Sequence, residues 1–116
     1  MAYVDGFLVP VRNDRREDYR KMAAEAAAIF REHGALEVVE AWGDDVPPGN
    51  VTSFPMAVKL EPEETVVFSW IVWPSREARD AGNEKVMKDP RMQGPDDVPF
   101  NMQRMIYGGF EQIVTA

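Results

Sequence analysis

Residues Tyr3 to Val11 alternate with a period of two. Tyr3, Asp5, Phe7, Val9 and Val11 share one face, and Val4, Gly6, Leu8 and Pro10 share the other. Both faces are largely apolar, so this strand is expected to be covered on both sides. The period then becomes helical. Tyr19, Met22, Ala23, Ala26, Ile29, Phe30 and His33 fall on one stripe, and Gly34 follows as a natural stop. Asp14 with Glu17 three residues later reads as a D-x-x-E capping box for this helix. Leu36 to Trp42 alternates again, and Gly43 to Asn50 is a loop rich in Gly, Pro and Asp. Ser53 to Leu60 fits a short strand or a helical turn, and Pro55 weakens either. Val66 to Trp73 is the strongest strand, built from Val, Ile, Phe and Trp around one Ser. Alternation puts Phe68 and Trp70 on one face and Trp73 on the other. Ser75 suits the N-cap of a helix from Arg76 to about Lys88, which has only Ala78, Ala81, Gly82, Val86 and Met87 to pack. Asp89-Pro90 stops it. Gln93 to Asp97 reads as loop. Met105 to Val114 is the closing strand, where Gly108-Gly109 suggests a bulge or a close backbone approach.

This order, βαββαβ, predicts a single α+β domain over residues 1–116. It is ferredoxin-like, with a four-stranded antiparallel sheet. Both helices must then cover one sheet face. The other face still carries Phe, Tyr, Trp and Val, more apolar surface than a monomer leaves wet. Packing two sheets together as a homodimer is the simplest cover.

Composition narrows the chemistry. The 116 residues contain no Cys, which excludes disulfides, thiolate nucleophiles, zinc–thiolate sites and iron–sulfur clusters. The net charge is -7, and the basic residues are scattered. The densest group, Arg12, Arg15, Arg16, Arg20 and Lys21, is interrupted by acids, so a nucleic-acid partner is disfavoured. Asp5 interrupts the N-terminal apolar run, and no apolar stretch reaches the roughly 18 residues of a membrane span. A cytoplasmic protein with no membrane partner is the expectation.

Asp5 is the sharpest candidate for acid/base chemistry, since a carboxylate between Tyr3 and Phe7 on an apolar face would have a raised pKa. The simpler account is a pairing with Arg104 or a backbone N–H. Glu40, between Val38 and Trp42, follows the same logic, with an edge position open to water as the simpler account. Tyr107 with Asp5 or Arg104 can orient a small ligand, and Arg104 or Arg91 can clamp a carboxylate. Phe7, Phe68, Trp70 and Phe110 are candidate pocket walls, although Phe68, Trp70, Trp73, Tyr107 and Phe110 serve equally as core or interface anchors. His33 alone cannot build a metal triad and suits the last helical turn. Asp44-Asp45 can offer oxygen ligands to a cation, but two acids in a Gly/Pro loop suit a solvated turn. No metal site and no cofactor are expected, and no P-loop, G-x-G-x-x-G, H-E-x-x-H or G-x-S-x-G pattern is present.

Asp5-Gly6-Phe7, Gly43-Asp44-Asp45, Phe68-Ser69-Trp70 with Trp73-Pro74, Asp89-Pro90-Arg91-Met92, Pro99-Phe100 and Arg104-Met105-Ile106-Tyr107-Gly108-Gly109-Phe110 together resemble the DUF1428 family. The resemblance spans nearly the whole chain. It implies a dimeric α/β-barrel fold and no particular activity. Barrels of that kind include cofactor-free monooxygenases, haem-handling enzymes, isomerases and dehydratases, which is analogy of fold only. Some relatives carry a label referring to signal-recognition-particle RNA, which the acidity here does not support. Two readings follow: a dimer that binds a small molecule in a pocket at the sheet face, with or without catalysis, and a binding or regulatory dimer with no cavity.

Overall fold

The computed structural model describes residues 1–94 and 97–116. The Gln93 to Asp97 loop expectation falls partly on residues 95 and 96, which lie outside the described residues. The chain runs β1 (Tyr3–Arg12), α1 (Arg16–Glu32), β2 (Glu37–Trp42), α2 (Phe54–Ala57), β3 (Glu64–Trp73), α3 (Arg76–Lys88) and β4 (Ile106–Glu111). The strands form one antiparallel sheet in the order β2-β3-β1-β4. β1 and β3 are the central pair, which is why both are apolar on both faces while β2 and β4 are short edges. This is the α+β, ferredoxin-like arrangement expected from the pattern.

Residues directly opposite across antiparallel strands share a face. On the helix-covered face one row reads Glu40, Ser69, Phe7, Tyr107, and the next reads Val38, Ile71, Asp5, Gly109. α1 packs over these rows. Val9, Val11, Tyr19, Ala23 and Val67 form one buried cluster, and Ala35, Ile71 and Trp73 form another. Trp73 is wholly buried, with Phe30 edge-on at 6.2 Å between ring centroids. Gly82 of α3 sits against that indole. A Cβ there would collide with the Trp73 ring and lie 2.8 Å from the His33 carbonyl oxygen. Close packing explains a glycine in mid-helix, where propensity alone disfavours it by about 1 kcal/mol.

The termini of α1 differ from each other. At its C-terminus Gly34 adopts φ +110°, and its N–H donates to Arg31 O while the Ala35 N–H donates to Phe30 O. That double bond pattern is the Schellman stop the sequence suggests. At the N-terminus the capping box does not form. A 3-10 turn, Asn13–Arg15, precedes α1; Asp14 instead pairs with Arg12 at 2.9 Å, and Glu17 pairs with Arg20. Neighbouring guanidinium groups outcompete the backbone donors for these carboxylates.

The ambiguous Ser53 to Leu60 segment contains the helical turn α2. Ser53 Oγ accepts from the Met56 N–H, and Pro55 falls in the first turn, where its missing N–H costs nothing. Ser75 caps α3 by accepting from the Ala78 N–H at 3.0 Å. Gly108-Gly109 makes no bulge, since both pair in unbroken register with Gly6 and Asp5. Gly109 does meet a close approach: a Cβ there would collide with the Arg79 guanidinium and the Tyr3 hydroxyl. β4 ends at Glu111, short of the Val114 limit the pattern suggests.

Among the described residues, no α-helix longer than the α2 turn lies on the second sheet face. Phe68, Ile106 and Phe110 stand on it 46%, 44% and 61% exposed, with Phe54 of α2 beside them.

Candidate functional site

The sequence candidates lie in separate places. Asp5 is buried on the helix-covered face. Its Oδ2 accepts from the Trp73 indole N–H at 3.0 Å, and Arg79 Nε lies 3.3 Å from its Oδ1. That contact is an ion pair without hydrogen-bond geometry, so Arg79 Nε is a buried donor with no hydrogen bond among the described residues. Arg79 also donates to the Tyr3 hydroxyl at 2.9 Å and stacks over the Tyr3 ring. Burial raises the Asp5 pKa above its ordinary value; Arg79 and the Trp73 hydrogen bond oppose the rise without cancelling it. The partner is thus Arg79 rather than Arg104. Arg79 shares the inward stripe of α3 with Gly82 and Val86, at i, i+3 and i+7, and that spacing is the sequence signal that could have found it.

Arg104 lies at the other end of the sheet. It donates to both Glu64 carboxylate oxygens, at 2.8 and 2.6 Å, and to the Val58 and Lys59 carbonyls at 3.1 Å. Glu64 stands opposite Arg12, seven residues along β1 from Asp5. That is roughly 23 Å at about 3.3 Å per residue. The Arg104 fork holds the Glu64 carboxyl below its usual range. Tyr107 is on the edge strand, 74% exposed, with its ring stacked beside Phe7 at 6.2 Å. Asp5, Tyr107 and Arg104 therefore do not converge. Arg91 is occupied by Asp89 and Glu32, and His33 Nε2 lies 3.1 Å from Asp89 Oδ2, tying the ends of α1 and α3 together. Asp44 and Asp45 are exposed in their loop, and among the described residues no cluster of metal-ligating side chains forms.

Phe68, Trp70 and Phe110 share the uncovered face, where they line an open groove of about 750 Å³ with Val4, Leu8 and Val72. Trp70 Nε1 donates to Glu37 at its margin, at 3.0 Å. Phe7 belongs mainly to the opposite face with Asp5. Phe68, Trp70 and Phe110 are therefore separated from Asp5 by the thickness of the sheet.

A cavity of about 160 Å³ lies between α1 and the sheet. Its apolar walls include Phe7, Val9, Phe30, Ile71, Phe100 and Met105, and the small side chains Ala23, Ala26 and Ala27 of α1 leave its space. Three polar residues line it: Tyr19, Glu40 and Ser69. Tyr19 is buried and donates to Glu40 Oε1 at 2.6 Å. Ser69 is buried directly opposite both Glu40 and Phe7. β2 is an edge strand, so solvent still reaches Glu40 as a residue, while its carboxyl turns to the Tyr19 hydroxyl. Burial pushes the Glu40 carboxyl up, and the Tyr19 hydrogen bond offsets part of that. Burial first, then the charge of Glu40, lifts the Tyr19 hydroxyl far above its ordinary value. This pairing escaped the sequence because its members are 21 residues apart. The signal was two polar atoms misplaced on apolar stripes, one on α1 and one on β2.

Over 115 residues, 98% of each chain, the sequence is 58% identical to the uncharacterized protein YbaA of Escherichia coli K12, and equally to that of Shigella flexneri. In structure it is similar to an uncharacterized NIPSNAP domain protein from Burkholderia xenovorans, with a TM-score of 0.63 and 16% identity over 98% of this chain and 97% of that one. It also resembles the de novo designed protein Foldit4, with a TM-score of 0.50 and 11% identity over 97% and 99%. These two likenesses concern the fold alone. The sequence profile of the DUF1428 family, described as a protein of unknown function, matches residues 2–102, and with the YbaA identity this places the chain in the DUF1428 family.

Proposed function

We propose that this protein is a homodimer that binds a small molecule in the cavity between α1 and the sheet. Glu40 is its acid/base-competent group. The observation that carries this reading is the Tyr19–Glu40 pair, a carboxyl of an edge-strand residue held at 2.6 Å by a buried hydroxyl beside an otherwise apolar cavity. A mostly apolar recess with a few polar groups and a perturbed carboxyl is the ordinary build of a ligand site. Asp5, already engaged by Trp73 and Arg79, then serves to lock β1 to α3. The second copy covers the open face, with Phe68, Trp70 and Phe110 as its anchors, because that much aromatic surface is unfavourable in water.

A thermal-shift screen of metabolites and aromatic compounds tests the ligand reading, since a specific ligand raises the apparent Tm. Hits should vanish in Ala26→Met, which fills the cavity. Light scattering in dilute solution tests the dimer; a lone species of 13.1 kDa refutes it.

A second reading places the ligand on the uncovered face, in the groove lined by Phe68, Trp70 and Phe110. Its support is the groove's size, about 750 Å³, with Glu37 and Gln112 as polar groups at the rim. A hit lost in Trp70→Ala but kept in Ala26→Met selects this reading over the first.

A further inference from the structure

The walls of the α1 cavity specify a ligand class, and this step rests on the cavity being the binding site. An apolar protein cavity of about 150 Å³ accepts one benzene. The present volume, about 160 Å³, therefore admits one ring with a small substituent. Among the described residues no Arg, Lys or His lines it, so no cation there neutralises an anionic group. With Glu40 at its wall, a carboxylate or phosphate would meet like charge.

The polar groups favour a donor. Glu40 Oε1 accepts from Tyr19, while Oε2 accepts from no side chain among the described residues. Ser69 stands directly opposite Glu40 on the neighbouring strand, with the two Cβ atoms about 5 Å apart, the spacing of cross-strand neighbours. An ammonium group would also satisfy Glu40, but it would have to leave water for a cavity whose surface is mostly apolar. A neutral O–H avoids that cost and repeats the bond Tyr19 already makes. Phe7 and Phe30 offer ring faces and edges for an aromatic body.

We propose that the cavity binds a single-ring phenol, with its hydroxyl donating to Glu40 and its ring among Phe7, Phe30 and Ile71. The probes are phenol, toluene and benzoate, titrated into the full-length protein near neutral pH and followed by calorimetry and by NMR of the Ile71 methyl group. Phenol should bind about tenfold more tightly than toluene, the equivalent of one net hydrogen bond to a charged acceptor. Benzoate should not bind. Glu40→Gln should weaken phenol several-fold and leave toluene unchanged or improved. Ala26→Met should abolish binding of both rings; if that variant unfolds, the Ile71 methyl shift in the wild-type protein locates the ligand instead.

Toluene binding as tightly as phenol, with the Ile71 methyl shifted, overturns the phenol class and leaves the cavity reading standing. Benzoate binding there overturns the class in the same way. No binding of any probe, while the broader screen still yields a hit lost in Ala26→Met, also overturns the class alone. No binding of any probe and no such hit overturn both.

Discussion

Replacing Glu40 by Gln should make the protein more stable at neutral pH. The Glu40 carboxyl is raised above its ordinary value near 4.5, chiefly by burial. A folded-state pKa above the unfolded one means that the native protein holds the proton more tightly. Ionised Glu40 therefore costs stability above about pH 4.5, and the cost disappears as pH falls through the folded-state pKa and the group protonates. Gln has the same shape, and its amide oxygen can still accept from Tyr19, but it carries no charge to desolvate. One unit of pKa difference corresponds to about 1.4 kcal/mol. Solvent reaches this edge-strand residue and screens it, which reduces the expected gain to about 0.5–1 kcal/mol. For a chain of this length that is about 2–4 °C in Tm. Thermal unfolding of both proteins at pH 4.5, 5.5, 6.5 and 7.5, at one protein concentration, provides the check. The difference should be largest at pH 7.5 and close toward pH 4.5. A Gln variant that is less stable at pH 7.5, or a difference that ignores pH, would mean that the carboxylate is a structural partner and not a group kept at a cost.

Asp5→Ala should destabilise by about 2–4 kcal/mol in urea denaturation, because it strands the buried Trp73 N–H and the partly buried Arg79 together; Asp5→Asn, which keeps an acceptor for Trp73, should lose clearly less, and equal losses would contradict this account. Gly82→Ala should cost about 1–3 kcal/mol despite the better helix propensity of Ala, since the new methyl meets the Trp73 ring and the His33 carbonyl; a stabilised variant would show that the α1–α3 packing is looser than described. Stability should peak in mildly acidic solution. Asp5 and Glu40, both raised, gain as pH falls from neutral, whereas Glu32, Glu64 and Asp89, held low by Arg91 and Arg104, lose their contribution below about pH 4. A urea midpoint that only declines from pH 8 to pH 5 would refute the balance between these two sets.

The chain's periodicities by themselves determined the order of elements, the stop at Gly34, the cap at Ser75 and the two faces of Phe68 and Trp73. These depend on neighbours within one helical turn or one strand, so a short window of residues contains their cause. The capping box failed because Arg12 and Arg20 compete for Asp14 and Glu17, and residue type alone does not rank those partners. The Ser53 to Leu60 turn was undecidable locally, since Pro55 suits a first helical turn only once Ser53 is known to cap it. The candidate site was the least legible part. Asp5, Tyr107 and Arg104 looked convergent because Tyr107 lies in the closing strand and Arg104 just before it, yet the register of β1 with β3 sets Asp5 and the Arg104–Glu64 pair at opposite ends of the sheet. Tyr19 and Glu40 meet only because α1 folds back over β2, and Arg79 reaches Asp5 only because α3 crosses beneath Trp73. Pairings of that kind depend on the distance between elements distant in sequence, which tertiary packing sets and local pattern does not encode.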